Sequence, residues 1–242
     1  LSAWDTSTWD RRDTGIEAQI LAFSVGSRDR LISVIQSDGL LRLWRLDGPT
    51  PVGRPFYHRE LTVPAFSPDG ARIAVHTSQD DRVILWRVAP PRPERVRVAE
   101  TAPWAGGASA AYSPDGHVAA LGDHGMLRLF DTETWRPLVP PLRHESEVWD
   151  VEFSSDGSHL LSADSGAGVV RLWDMARSHA VWSPATFATQ APDIAYHRDG
   201  SVIAVATNAG AYVLDAATGQ RVGGPVGEVA VWGVALSPVA HV

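Results

Sequence analysis

Cysteine and lysine are both absent from this chain of 242 residues. Without cysteine there is no disulfide, no thiolate metal ligand and no thiol nucleophile. That absence does not fix a compartment, because a reducing cytosol and a cysteine-poor exported domain both accommodate it. Without lysine there is no P-loop lysine, no Schiff-base lysine and no Ser-Lys pair, and all 21 basic residues are arginine. No apolar run approaches the roughly 18–20 residues of a membrane-spanning helix. Positive charge is also in deficit: 21 basic against 28 acidic residues leave a net charge of −7. Broad binding to nucleic acid or to an anionic membrane needs basic patches, so both are excluded as expectations. A signal peptide and an initiator Met are missing too. The chain opens at Leu1-Ser2-Ala3-Trp4-Asp5, as a piece of a longer polypeptide would. What remains is ordinary globular material, 44% hydrophobic and 20% charged. A chain this long can bury roughly 70–75% of its unfolded surface without staples.

Self-similarity organises the sequence. Phe66-Ser67-Pro68-Asp69-Gly70, Tyr112-Ser113-Pro114-Asp115-Gly116 and Phe153-Ser154-Ser155-Asp156-Gly157 are near copies, and Tyr196-His197-Arg198-Asp199-Gly200 is a weaker one. Phe23-Ser24 and Leu236-Ser237-Pro238 begin two more. The anchors at 23, 66, 112, 153, 196 and 236 are separated by 43, 46, 41, 43 and 40 residues. A period this regular marks a repeat architecture.

About twenty residues after most anchors comes a second signature: Leu41-Arg42-Leu43-Trp44, Val83-Ile84-Leu85-Trp86, Leu127-Arg128-Leu129-Phe130-Asp131 and Val170-Arg171-Leu172-Trp173-Asp174, degraded to Ala211-Tyr212-Val213-Leu214-Asp215. The runs between the two signatures are short, β-rich and punctuated by Gly, Asp and Pro, and no stretch holds a helical period. In Ser-Pro-Asp-Gly the Pro presets φ, the Asp supplies an acceptor and the Gly permits a positive φ, so the string predicts a tight antiparallel connection. Asp38-Gly39 and His124-Gly125 predict a second hairpin before the Trp-bearing strand. Four strands per repeat make one small twisted sheet, which cannot bury both faces unless several pack together.

On these residues the chain resembles the WD-repeat β-propeller family, from Trp4-Asp5 to Ser237-Pro238. A His before the repeat adds to the likeness: His144 precedes Trp173 by 29 residues and His58 precedes Trp86 by 28. The resemblance implies an all-β propeller of four-stranded antiparallel blades, about five full ones plus a partial one, as a single domain over 1–242. Residues 1–12 would close a preceding repeat, five repeats would be anchored at Phe23, Phe66, Tyr112, Phe153 and Tyr196, and a partial repeat would begin at 229. It further implies a hydrogen-bonded network inside each blade, joining His, a Ser or Thr, a hairpin Asp and Trp. The matching residues are Ser33, Asp38 and Trp44 in one repeat, His58, Asp80 and Trp86 in the next, with Thr77 for the hydroxyl, and His144, Ser162 and Trp173 in the fourth. There Ser165-Gly166-Ala167-Gly168 is expected to displace Asp164 from its place.

Catalytic motifs are wanting. There is no Gly-x-Ser-x-Gly elbow and no His-Glu-x-x-His pair, and Gly166-x-Gly168 lacks a third glycine and a βαβ setting. No catalytic residue, metal site or cofactor is expected. Trp149 and Trp232 stand apart from the signature tryptophans, because both fall four residues before an anchor, where Gln19, Thr62, Ala108 and Pro192 stand in other repeats. The resemblance puts that position near the rim of a central channel, the usual partner-binding face, and Trp is enriched in binding hot spots. Trp149 and Trp232, with Gln19 and Thr62, are therefore the candidate partner-binding rim, or else the rings plug the channel or pack between blades. Trp104, Trp135 and Trp182 are expected in loops or outer strands. The expected function is a non-catalytic protein–protein interaction scaffold or sensor module in the cytoplasm. Its partners would be other proteins or domains of a parent chain. The arginine-only, Ala/Gly/Pro-rich composition suggests a GC-rich bacterial genome, where such propellers follow a signalling ATPase or Ser/Thr kinase domain. The alternative is a stand-alone propeller enzyme or small-molecule binder using the central channel.

Overall fold

The Ser-Pro-Asp-Gly strings fold as tight hairpin turns. The Ser67 N–H donates to the Arg72 carbonyl at 3.0 Å, and the Gly70 N–H donates to the Ser67 carbonyl at 2.8 Å. The Arg72 N–H returns to Ser67 Oγ at 2.9 Å, while Asp69 Oδ1 accepts the Ala71 N–H at 2.9 Å. The same pattern recurs at Ser113 and Ser154, where the hydroxyls accept the N–H groups of Val118 at 2.8 Å and His159 at 2.9 Å. Ser and Asp thus answer backbone groups that a turn leaves open.

These turns join strands of an all-β computed structural model, with no helix among the described residues. The structure describes residues 2–4, 11–13, 19–26, 31–46, 48–57, 61–77, 82–88, 94–100, 109–122, 124–166, 168–227 and 229–237. His58, Asp80 and Trp104 lie outside them. Two compact units are present, Leu1–Ala105 and Gly106–Val242.

In the first unit β1 (Ser2–Trp4) and β2 (Arg11–Asp13) form a two-stranded ribbon. Then β3 (Ile20–Val25), β4 (Leu31–Gln36), β5 (Leu40–Arg45) and β6 (Gly48–Pro51) lie side by side, with β7 (Phe56–Tyr57) also paired to β5. The next sheet is β8 (Leu61–Phe66), β9 (Arg72–Thr77), β10 (Arg82–Arg87) and β11 (Glu94–Glu100). Ile35, Leu41, Leu43 and Phe56 of the former pack on Ile73 and Val75 of the latter. Repeat position alone does not secure burial. The anchor Phe23 is 52% exposed, with Leu21 and Val25 beside it on β3, whereas the anchor Phe153 is 8% exposed.

The second unit contains β12 (Ala110–Tyr112), β13 (Val118–Gly122), β14 (His124–Asp131), β15 (Leu142–Phe153), β16 (His159–Asp164), β17 (Val169–Asp174) and β18 (His179–Ala180) in one antiparallel order, with β19 (Ala185–Thr186) also on β17. A separate sheet holds β20 (Asp193–Tyr196), β21 (Val202–Thr207), β22 (Gly210–Asp215) and β23 (Arg221–Val226). β15 serves two groups of strands. Leu142, Arg143 and Glu147 pair with β14, and Val148 to Phe153 pair with β16. β16 is covered on both faces, Leu160 entering one core with Val148, Val151 and Trp173, and Leu161 entering the other with Leu172, Ile194 and Ile203. Strands buried on both sides read as continuous apolar runs, which is why Val202–Thr207 shows no polar alternation.

One tryptophan expected in a loop or outer strand does lie in a turn, yet it is buried. Trp135 lies in the turn after β14 and is 7% exposed, the same as Trp173, with its ring stacked on Phe130 at 6.0 Å. It carries a φ of 57°.

Candidate functional site

The best-formed polar cluster spans β15, β16 and β17. The indole Nε1 of Trp173 donates to Ser162 Oγ at 2.8 Å, and His144 Nε2 lies 2.9 Å from the same oxygen. Arg171 Nη1 sits 3.0 Å from His144 Nδ1 and 3.5 Å from Asp164 Oδ2. His144 Nδ1 also lies 3.8 Å from Asp164 Oδ2, so that nitrogen faces a guanidinium donor and a carboxylate acceptor together. Burial keeps His144 below the ordinary imidazole range, which favours the neutral ring. Asp164 is fully buried within the cluster, its Oδ1 accepting the Val169 N–H at 3.2 Å. The Ser165–Gly168 insertion therefore does not displace it. The loop begins after Asp164, which is the last residue of β16.

Register decides why the other sheets differ. Trp173 faces Leu160 across the ladder, and Ser162 is two residues further along β16, on the same face. Trp44 faces Ile32, so the equivalent place is held by Val34, not Ser33. Ser33 points to the opposite face and donates instead to the Ser24 carbonyl at 3.4 Å. Trp86 faces Ile73, which puts Val75 there and Thr77 two residues beyond. The Nε1 groups of Trp44 and Trp86 are buried with no hydrogen-bond partner among the described residues. Asp38 is likewise not part of a buried network. Its carboxylate sits in the exposed β4–β5 turn, where it accepts from the Leu40 N–H at 3.0 Å and from Arg42 Nη2 at 2.7 Å, and the Arg42 bond lowers its pKa.

A second arrangement links successive innermost strands through side chains. Ser109, Asp150 and Asp193 each stand three residues before an anchor. Ser109 Oγ accepts the Val151 N–H at 3.1 Å, Asp150 Oδ2 the Ile194 N–H at 3.0 Å, and Asp193 Oδ2 the Val234 N–H at 2.7 Å. Each receiving amide is two residues before the next anchor, so the rung recurs with the repeat. Glu152 adds one more, accepting the Tyr196 N–H at 2.6 Å. Burial, and then the neighbouring Asp193 carboxylate, push Asp150 well above the usual range. Burial raises Glu152 to about 7. Both Asp150 and Asp193 are tied to backbone amides. No group of three or more His, Asp or Glu able to hold a metal occurs among the described residues, and no described helix is long and apolar enough to cross a membrane.

Trp149 and Trp232 both belong to the second unit. Trp149 is half-buried at a β-bulge of β15, between Val148 and Asp150, where the pairing with β16 slips by one residue. A bulge re-aims the side chain it carries. Trp232 is 66% exposed in the segment 229–237, which follows β23 and is tied to β21 by the Val231 N–H donating to the Thr207 carbonyl at 2.9 Å. Gln19 and Thr62 belong to the first unit. Gln19 is exposed, its carbonyl accepting the Ser37 N–H at 3.0 Å. Thr62 lies on β8, and its side chain is outside the described set.

Residues 138–174 match the family profile of the WD domain, G-beta repeat. Over 198 residues the chain is 23% identical to p21-activated protein kinase-interacting protein 1-like of Xenopus laevis, covering 76% of this chain and 50% of that protein. Over 115 residues it is 33% identical to WD repeat-containing protein VIP3 of Arabidopsis thaliana, covering 47% of this chain and 35% of that protein. The chain thus spans half or less of the length of these relatives. The matched repeat is also the stretch where His144, Ser162 and Trp173 are joined.

Proposed function

We propose that the chain is a non-catalytic protein–protein interaction module, built as part of a WD-repeat β-propeller. Its repeats are those anchored at Phe23, Phe66, Tyr112, Phe153 and Tyr196, with a partial one from 229. Partner binding uses a rim marked by Trp149 and Trp232, with Gln19 and Thr62 contributing. The observation that carries this reading is Trp232, a large aromatic 66% exposed at the position where Trp149 occupies a bulge one repeat away from Pro192. Trp is among the residue types most enriched in binding hot spots. The kinase-interacting name of the frog relative supports a protein partner. Catalysis or small-molecule binding in a central channel would call on the raised carboxyls of Asp150 and Glu152, but both are engaged by backbone amides.

The test is a pull-down from native lysate with the Trp149→Ala/Trp232→Ala double variant. A hot-spot aromatic contributes about 2 kcal/mol or more, so each substitution should weaken binding by roughly thirtyfold with little change in melting. Recovery of the same proteins by the double variant rules out the rim, and unfolding of the variant makes the rings packing elements. A bacterial, cytoplasmic signalling protein with a kinase or ATPase domain upstream is the finer proposal. It rests on the arginine-only composition and is checked by reading the coding sequence upstream.

A further inference from the structure

We propose that His197 is a proton-dependent clasp that holds the segment 229–237, with its exposed Trp232, against the sheet of β20 and β21. In three other turns a Ser stands at this position (Ser67, Ser113 and Ser154), and its hydroxyl bonds only within its own turn. His197 does more. Its Nδ1 lies 2.6 Å from Asp199 Oδ1 in the same turn, and its Nε2 lies 2.9 Å from the Ser237 carbonyl oxygen. Both partners are acceptors, and a neutral imidazole has one N–H only. The two bonds are made together only by the imidazolium.

Besides His197, the Val231 N–H donates to the Thr207 carbonyl and the Val234 N–H to Asp193 Oδ2. The groups facing His197 are the Asp199 carboxylate and, more distantly at 3.4 Å from Nδ1, the Asp199 N–H on its own turn, and the Ser237 carbonyl on the segment. On the neighbouring β15–β16 turn, Ser155 Oγ donates to the Arg198 carbonyl at 2.6 Å, and the charge of Asp156 reaches Tyr196 beside it. The Asp199 bond, followed by the Ser237 bond, raises the His197 pKa above its ordinary value. For a cation whose pKa is raised on folding, the stabilisation is complete below the ordinary value of about 6.5 and vanishes as pH passes the raised one. Below that point the segment is clasped, and above it one of the two bonds is lost. The clasp stands whether or not Trp232 meets a partner.

Hydrogen exchange and imidazole NMR on the whole chain test the idea. A bond to a charged group supports an expected drop of about tenfold or more in the protection factors of Val231 and Val234 between pH of about 6 and about 9, with β21 unchanged. His197→Ser restores the residue of the other turns, and it should show the low protection at both pH values. Retention of full acidic protection by His197→Ser overturns the clasp. So does a His197 titration in the unmodified chain at or below about 6.5, a measurement that needs no variant to fold.

Discussion

Trp44, Trp86 and Trp173 occupy one register position, yet among the described residues only the last has its N–H answered by a hydroxyl. A buried donor without an acceptor costs about 1–3 kcal/mol, so supplying one should recover part of that. Val75 is fully buried at the place that Ser162 holds beneath Trp173, and Val205 is fully buried at the same place beneath Leu214. Val205→Thr buries a hydroxyl beneath a side chain that has no donor and should destabilise by about 1–3 kcal/mol. Val75→Thr offers its hydroxyl to Trp86 Nε1 and should cost less than half as much. Urea midpoints of the two variants measure the difference, and equal losses would remove the register argument. Spacing was enough to find all three tryptophans and the His144–Ser162–Trp173 set. It was not enough for Ser33, because the face of a strand residue depends on which residue lies opposite, and a slip of one reverses it. Asp164 was misread for a related reason: an insertion was counted as a displacement although it falls after the strand.

Strands and turns were far more legible than the ties between them. Ser-Pro-Asp-Gly marks its hairpins because each residue type has one backbone duty there, whereas the rungs from Ser109, Asp150 and Asp193 use two residue types and reach across more than forty residues. Neither period nor propensity signals such a bond. Glycine shows the same division between local and long-range demands. Gly39 in the β4–β5 turn has a φ of 76° and open space where a Cβ would stand. Gly168, entering β17, has a φ of 60°, and a Cβ there would meet the Thr189 carbonyl oxygen at 1.9 Å. Gly39→Ala should cost only the left-handed strain of about 1–2 kcal/mol. Gly168→Ala adds a backbone clash, and overpacking of that kind contributes a further 1–3 kcal/mol, roughly. Thermal melting of the two variants gives the comparison, with the larger drop expected at Gly168.

For the chain as a whole, acidity has a definite sign. Burial raises the Glu152 carboxyl to about 7 in the folded chain, against its ordinary value of 4.5 when unfolded. Between those limits the native state binds more protons, so stability from this group falls as pH rises and is fully present only below the lower one. Glu152→Gln keeps an acceptor for the Tyr196 N–H and removes the titration. Denaturant midpoints taken across that range should therefore decline less in the variant than in the parent chain. Asp150, raised by burial and by Asp193, acts in the same direction. The rungs that these carboxyls form have a bearing on how such a chain lengthens over evolutionary time. Each takes a side chain from one repeat and only a main-chain amide from the next, so the receiver needs no particular residue. A duplicated or transplanted unit would be accepted by its upstream neighbour whatever its own composition, and Val234 illustrates it: this apolar residue is joined through Asp193 with no matching donor side chain. Joints with a single sequence-specific half leave the order of units open to shuffling.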